Sequence, residues 1–202
     1  MALEGDISRM HVNLRNAGFG VGITDASAPM LWLGCVNAFA RHDPVTGFLE
    51  VTDRPPKHFE QERHPSLLWL DLPAAYLGQQ LDEIDICARG FVAATRISTR
   101  KLSIETYGDV ELRSIHIGQT CFAKTVRGNV LAQGLTTPVP TDADPRFAPT
   151  AELIALAGSV TVEGGAAAWR IASQEMAIHS EGPLHTTQLI SGQAQALRVA
   201  TA

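Results

Sequence analysis

Residues 91–139 read FVAATRISTRKLSIETYGDVELRSIHIGQTCFAKTVRGNVLAQGLTTPV. Apolar and polar residues alternate in short runs along this segment, which is typical of strands with one buried face. Glycines, some of them followed by aspartate or asparagine, separate the runs and favour tight reversals of the chain. The segment therefore predicts successive antiparallel strands, which are Val92–Ile97, Lys101–Thr106, Glu111–Ile117, Cys121–Val126 and Val130–Thr137.

A further hairpin is predicted upstream of this segment. One strand runs from Leu31 to Arg41, the chain turns at residues 42–47, and a second strand returns through residues 48–52. Asp43-Pro44 followed by Gly47 supports the turn, because proline presets φ and glycine accepts a positive φ. The alternative for this region is a short helix that begins near Thr24 and has Pro29 in its first turn.

Two helices are predicted beside the strands. Asp71 with Pro73 is typical of a helix start, and Leu77, Leu81 and Ile84 then follow at helical spacing. A second, short helix is predicted at residues 150–157. Together these patterns predict an α+β fold, with a predominantly antiparallel β-sheet (a curved sheet or small barrel) and one or two packed helices.

The chain of 202 residues is predicted to form a single domain, residues 1–202. Residues 138–150 are rich in proline and aspartate, and they predict an excursion from that domain. One internal similarity links Leu33-Gly34 and the residues after it to Ile117-Gly118 and the residues after it. Two similar hairpins in one sheet explain this similarity without a duplication.

Charge and cysteine content limit the classes of function. The formal net charge is −5 and no basic stripe is present, which argues against binding to nucleic acid. The three cysteines are widely spaced and form no C-x-x-C pair, so reduced thiols are expected. The N-terminus lacks the pattern of a signal peptide and no apolar run could cross a bilayer. We therefore expect a cytoplasmic protein, one that forms a homo-oligomer because its strand edges must be covered.

The densest group of ionisable residues is the segment KHFEQERH at residues 57–64. His58, Glu60, Glu62 and His64 share one face of an extended strand, and they also form i, i+4 pairs in a helix. Two imidazoles and two carboxylates on one surface can transfer protons or bind a divalent metal. The alternative is a solvated charged segment, since no established metal-site spacing is present.

A second candidate is the pair His42 and Asp43, a possible carboxylate–imidazole pair at the rim of the sheet. The structural alternative is that Asp43 accepts hydrogen bonds from its own turn, which is common for aspartate before proline. His179 and His185 flank a turn that contains Glu181, and they could also converge.

Part of the chain resembles a known family. Tyr107-Gly108-Asp109, Gln119–Phe122, Gly128, Leu131–Gly134 and Thr136–Asp142 together resemble the last strands of hotdog-fold thioesterases and dehydratases. This resemblance spans residues 101–142. It implies one helix packed on a curved antiparallel sheet, a dimer that completes a tunnel for an acyl chain, and acid–base catalysis beside the thioester. His42, Asp43, His58 and Glu60 are the first candidates for that acid–base role.

These observations predict a small cofactor-independent enzyme that acts on a largely apolar small molecule or an acyl thioester. The reaction is expected to be that of a hydrolase or of a lyase or isomerase, with histidine and carboxylate as acid and base. Two alternatives are a non-catalytic β-cup that holds a hydrophobic ligand, and a structural subunit whose interaction arm is residues 138–150. Apart from the small substrate and further copies of the chain, we expect no partner, neither nucleic acid nor membrane.

Overall fold

The computed structural model describes residues 1–33, 37–54, 66–137, 150–163, 166–173, 178–181, 184–191 and 198–200. Side chains are described as far as Glu163, with the exception of Thr150.

The described residues form eighteen strands and a single 3₁₀ turn, Ala74–Tyr76. The strands in chain order are β1 Arg9–Leu14, β2 Ala17–Ile23, β3 Met30–Trp32, β4 Ala38–Asp43, β5 Phe48–Asp53, β6 Ser66–Leu72, β7 Gln80–Ala88, β8 Val92–Thr95, β9 Ser98–Thr106, β10 Val110–Arg113, β11 His116–Thr125, β12 Val130–Gln133, β13 Thr150–Ala155, β14 Val160–Glu163, β15 Ala166–Ser173, β16 Ile178–Glu181, β17 Leu184–Ser191 and β18 Arg198–Ala200. Within this described part there is no α-helix, and no helix long and apolar enough to cross a membrane.

The strands lie in two nine-stranded sheets, and from β7 onward the chain changes sheet after every strand. Sheet 1 has the order β4-β5-β1-β7-β9-β11-β13-β15-β17, and sheet 2 has the order β3-β6-β2-β8-β10-β12-β14-β16-β18. All neighbouring pairs from β7 to β18 are parallel. The chain therefore coils as a β-solenoid, in which each rung consists of one strand of sheet 1 and the next strand, in sheet 2.

The register gives the length of a rung. Ile84 pairs with Leu102, and Val92 pairs with Val110, so the rung that begins with β7 is 18 residues long, whereas Val110 pairs with Val130, 20 positions later. Near the other end, Glu152 pairs with Arg170, again 18 positions later. Residues 138–149, which hold nearly all of the predicted excursion, follow the rung β11–β12 and lie outside the described residues. Thr150 already belongs to β13.

The first rung of the chain does not lie at the end of the stack. The strand β1 pairs with β5 on one side and with β7 on the other, and β2 lies between β6 and β8 in the same way. Strands β3 and β4 are antiparallel to their neighbours and form the outermost strands at this end. The hairpin β4–β5 confirms the predicted turn around Asp43-Pro44.

The core lies between the two sheets and is filled by aliphatic side chains from both. The alternation within each strand places Val12, Ile84 and Ile104 of sheet 1 inside, where they belong to one cluster with Phe19 and Val21 of sheet 2. All five are fully or almost fully buried. This packing explains why the apolar positions alternate, since one face of every strand packs against the opposite sheet.

Glycines form a column at the corner where the chain passes from sheet 1 to sheet 2. Gly90, Gly108, Gly128 and Gly158 occupy equivalent positions in successive rungs, and their backbones touch. A Cβ atom on Gly108 would lie 2.6 Å from the carbonyl carbon of Gly90, and one on Gly128 would overlap the Gly108 carbonyl. Glycine is therefore required here by the close approach of neighbouring rungs.

Side chains next to this glycine column bond from one rung to another. The buried Thr125 hydroxyl donates to the Gly108 carbonyl at 2.6 Å. Asn129 donates its backbone N–H to the Asp109 carboxylate at 2.7 Å, and the Asn129 side-chain oxygen accepts from Ser159 N–H at 3.0 Å. These bonds satisfy polar groups at the corner, where the ladder of strand hydrogen bonds is interrupted.

The prediction of an antiparallel α+β fold is wrong, although several strand positions are correct. The Gly-Asp and Gly-Asn groups at residues 108–109 and 128–129 turn the chain into the other sheet instead of reversing it within one sheet. Gly118 lies inside β11 and makes no reversal. The helix-on-antiparallel-sheet architecture implied by the hotdog resemblance is likewise absent from the described residues.

Both predicted helices are strands in the structure. After the short turn Ala74–Tyr76, the chain continues as β7, and residues 150–155 form β13. Leu81 and Ile84 are both buried and three residues apart because Asp82 and Glu83 between them are both exposed, which interrupts the alternation of β7. This interruption imitates helical spacing in the sequence.

We expect Gly128→Ala to destabilise the protein more than Gly78→Ala does. At Gly78 no other described atom would meet the new Cβ within 4 Å, so only the left-handed backbone, with φ of +83°, opposes alanine. That conformation costs about 1–2 kcal/mol. At Gly128 two rungs must separate, and we expect a loss of about 3 kcal/mol or more. Urea unfolding followed by circular dichroism measures both values, and equal losses would contradict the glycine column.

Candidate functional site

The structure places His42 and Asp43 in the β4–β5 hairpin, where they do not pair with each other. His42 lies opposite Leu49, and its Nε2 donates to Asp6 O at 3.3 Å. The Asp43 carboxylate accepts from Val45 N–H at 3.0 Å and from the Thr46 hydroxyl at 2.8 Å. The hydroxyl of Thr46 and, to a smaller extent, the N–H of Val45 keep the pKa of Asp43 below its usual value. Asp43 therefore has the turn-forming role that was the structural alternative.

The side chains of the remaining predicted candidates lie outside the part of the chain whose side chains the structure describes. His58, Glu60, Glu62 and His64 lie outside the described residues. His179 belongs to β16 in sheet 2, and His185 belongs to β17 in sheet 1. The described residues contain no group of three or more histidine, cysteine, aspartate or glutamate side chains that could hold a metal ion.

We expect Asp43→Ala to lower the free energy of unfolding near neutral pH and to matter less as the pH falls. Because the folded-state pKa is below the usual 3.8, the carboxylate stabilises the fold above about pH 4, and this contribution is lost as the pH falls through the folded pKa. Urea unfolding of both proteins over a pH series measures the difference. Asp43→Asn keeps an oxygen acceptor and cannot titrate, so it should lose less than alanine at neutral pH. A difference between native protein and alanine variant that stays constant with pH contradicts this assignment.

A more unusual arrangement lies at the other corner, where the chain returns from sheet 2 to sheet 1. The segments at residues 95–98, 113–116 and 133–136 stack there in successive rungs. Arg96 N–H donates to Arg113 O at 2.8 Å, and Ser114 N–H donates to Gln133 O at 2.7 Å. We call these three stacked segments the return corner.

Each segment of the return corner contains one residue in the left-handed conformation. The φ angles are 55° at Arg96, 53° at Ser114 and 63° at Gly134. Glycine adopts this conformation without strain, whereas a residue with a Cβ atom is strained by roughly 1 kcal/mol or more. The corner therefore keeps an arginine and a serine at two positions where the backbone favours glycine.

A cavity of about 630 Å³ opens at the return corner. It lies between the corner and the segment that connects β6 to β7, which includes the 3₁₀ turn. The residues that line it are Tyr76, Leu77, Gly78, Gln80, Arg96, Ile97, Ser98, Ser114 and His116. We call this cavity the corner pocket.

Local hydrogen bonds orient several side chains of the corner pocket. His116 Nδ1 is 3.1 Å from the Thr136 hydroxyl, which itself donates to Ile115 O at 3.3 Å. Because the single hydroxyl proton is used there, the Thr136 oxygen accepts from Nδ1–H, and Nε2 accepts in the neutral ring or donates in the charged one. Arg96 Nη2 donates to Ile23 O at 2.8 Å.

An irregularity of β11 lies beside the corner pocket, next to Gln80. The register with β9 shifts between Ile117 and Thr120, which is a β-bulge. Gly118 lies in this bulge, and a Cβ atom there would lie 2.5 Å from Gln80 Nε2. The glycine therefore gives the Gln80 amide its position at the edge of the pocket.

The lining of the corner pocket supplies hydrogen-bond donors and little negative charge. Arg96 is cationic, and Ser98, Ser114 and Gln80 each carry a donor. None of the nine described lining residues carries a carboxylate. Burial, more than any other cause, raises the pKa of Tyr76, so its hydroxyl stays neutral, and it accepts from Ile7 N–H at 2.6 Å. Such a lining can bind an anionic group of a ligand through hydrogen bonds and charge.

Two other polar groupings are less distinctive. His11 Nδ1 and the Asp85 carboxylate are 2.9 Å apart on the exposed face of sheet 1, where each side chain is about 40% exposed. A second cleft, of about 400 Å³, contains both signs of charge, including the pair Arg100–Asp82 at 3.6 Å. Opposite charges at this spacing largely neutralise each other and need no ligand.

Sequence reasoning missed the corner pocket because its residues occur singly among strands. A signal is nevertheless present. The tetrapeptides TRIS at 95–98, RSIH at 113–116 and QGLT at 133–136 each have a buried isoleucine or leucine third, after the left-handed residue. Their separations match the rungs, so the repeat would have placed Arg96, Ser114 and Gly134 in one column.

Comparison with known proteins adds no family: the chain matches no protein-family model and has no significant match among curated proteins.

We expect Ser114→Gly to raise the free energy of unfolding, by up to about 1 kcal/mol, because it relieves the left-handed backbone. Gly134→Ala is the matched reverse change in the next rung, and its nearest neighbour would be Ser114 Cα at 3.7 Å. With space available, alanine there should destabilise by about 1–2 kcal/mol through the backbone alone. Urea unfolding of the three proteins tests this. A destabilised Ser114→Gly variant would show that the serine stabilises the fold.

Proposed function

We propose that this chain is a β-solenoid binding module that holds a small organic acid in the corner pocket. The observation that carries this proposal is the presence of side chains at the two pocket positions where the backbone is strained. Arg96 and Ser114 retain side chains where the backbone favours glycine, and both residues line a cavity whose nine lining residues carry no carboxylate. Strained residues of this kind are concentrated at binding sites, where the side chain itself is needed.

The chemistry of the lining supports an anionic head and an apolar body in the ligand. The Arg96 guanidinium can donate a charge-assisted hydrogen bond to a carboxylate, and Ser98 and Ser114 add neutral donors. Leu77, which is 57% exposed, supplies apolar surface beside these donors. The volume of about 630 Å³ is within the range of small-molecule sites.

Binding is favoured over catalysis by the surroundings of His116. A histidine base is commonly oriented by a carboxylate, whereas the Nδ1 partner here is the Thr136 hydroxyl. The predicted hydrolase or lyase activity, with His58 and Glu60 among its residues, stays a prediction. The hydrophobic cup also stays a prediction; the present proposal uses a surface site, because the inner faces of the two sheets pack against each other in the described residues.

Benzoate is a suitable probe, because it combines a carboxylate with a small apolar ring. We expect it to shift the ring-proton NMR signals of His116 and to saturate with a Kd of about 1 mM, as is usual for so small a ligand. Benzamide has the same shape without the charge, and it should bind at least about tenfold more weakly. Arg96→Gln should reduce the affinity for benzoate by a similar factor.

The control variant is Arg100→Gln, which removes an exposed arginine outside the corner pocket. It should bind benzoate as the native protein does. Melting temperatures identify any variant that fails to fold. Equal binding of benzoate and benzamide, or loss of affinity in both arginine variants, would overturn the proposal. Conversion of an added acyl thioester at a rate that depends on His116 would favour the enzyme instead.

A further inference from the structure

A pair of tryptophans occupies the outer face of sheet 2, on the strands β3 and β6 at its end, and neither tryptophan lines the corner pocket. Trp32 of β3 lies directly opposite Trp69 of the neighbouring antiparallel strand β6. Directly opposed residues of adjacent strands have their side chains on the same face. Trp32 is 57% exposed and Leu67, two residues before Trp69, is 43% exposed. We call Trp32, Leu67, Trp69 and Asp71 the tryptophan platform.

One carboxylate holds the edges of both indole rings. Trp32 Nε1 donates to one oxygen of Asp71 at 2.6 Å, and Trp69 Nε1 donates to the other oxygen at 3.0 Å. Each indole N–H is thus satisfied inside the protein, and the rings are restrained at their polar edges. The ring faces do not take part in these bonds.

The strand next to β6 is adapted to a flat indole. In β2, Gly20 is paired with Trp69 and Gly22 with Asp71. A Cβ atom on Gly20 would overlap the six-membered ring of Trp69, and one on Gly22 would lie 3.4 Å from Trp69 Cζ2. The indole therefore lies across the bare backbone of β2, with one face covered and the other directed away from the sheet. Three elements of sequence, in β2, β3 and β6, combine to make this surface.

We infer that the tryptophan platform binds a neutral glycan, with a pyranose ring stacked on indole and its hydroxyl groups bonded to Asp71. The carbon-bound hydrogens of a sugar ring carry small positive charges and are attracted to the negative face of indole. A carboxylate offers about four acceptor positions, and the two indole N–H groups use two of them. The remaining positions can accept hydrogen bonds from sugar hydroxyls beside the stacked ring.

Other classes of occupant fit these observations less well. An apolar protein surface would bury the Asp71 charge without giving it new hydrogen bonds, which is costly. Nucleic acid and acidic polysaccharides are disfavoured by the Asp71 carboxylate and by the net charge of −5. A quaternary ammonium ion is bound best inside an aromatic cage, whereas Trp69 has one face against β2 and cannot enclose an ion.

Cellohexaose is the probe, because the hydroxyls of β-linked glucose are equatorial and both faces of each ring are apolar. Isothermal titration calorimetry of the full chain should give a Kd of roughly 0.1–1 mM. A separate titration should show a change in tryptophan fluorescence over the same concentrations. Trp32→Ala removes an exposed ring and should weaken binding at least about tenfold. Asp71→Asn replaces one acceptor oxygen by a donor that faces an indole N–H, and it should weaken binding too.

Tyr107→Ala is the matched control, since Tyr107 is an aromatic residue outside the platform with a similar exposure of 55%. Its affinity for cellohexaose should equal that of the native protein. Benzoate binding, read at His116, should be unaffected by Trp32→Ala, so the failure of one site is distinguishable from the failure of the other.

Three results would overturn the inference. Cellohexaose fails to bind in the range given, or it binds equally well to Trp32→Ala, or tetramethylammonium chloride binds to the platform and the sugar does not. Self-association that Trp32→Ala abolishes, in the absence of sugar binding, would assign the platform to a second copy of the chain.

Discussion

The close stacking of successive rungs is the constraint on which the structure depends. Neighbouring strands in a sheet lie about 4.8 Å apart, and a solenoid must maintain this spacing at its corners as well as in its sheets. At the corner between sheets 1 and 2, Gly108 and Gly128 allow the backbones to touch, and Asp109 and Asn129 supply bonds along the stack. Each rung contacts only its neighbours, so the stability of the array depends on these local interfaces.

Both proposed sites lie where the regular repeat is interrupted. At the return corner, left-handed residues with side chains, a bulge in β11 and the 3₁₀ turn occur together around one cavity. On the outer face of sheet 2, Gly20 and Gly22 leave room for a ring that few strands could accommodate. The regular rungs supply a rigid support, and the proposed binding sites form where the chain departs from the repeat.

The sequence predicts much of the position of the strands and little of their arrangement. Alternation places a strand near Val110 and another near Val130 because one side of each strand is buried. It does not state which strand is the partner, since the same turn residues suit a hairpin and a corner. Glycine two residues before valine, at residues 90, 108, 128 and 158, is the repeat that would have indicated a solenoid. The helix predicted through Leu81 failed because a strand whose alternation is interrupted can show the same spacing of buried residues as a helix.

The internal position of β1 and β2 has a consequence for how the molecule resists fraying and proteolysis. A solenoid commonly frays from a terminal rung, and a protease that trims one end shortens the stack by one unit at a time. Here β1 and β2 lie between β5 and β6 on one side and β7 and β8 on the other, with pairing on both sides. Loss of this segment would leave a gap within the array and separate its antiparallel end from the parallel rungs. The strands β1 and β2 thus join the antiparallel end of the array to its parallel rungs, and they are held in place by segments that are synthesised after them.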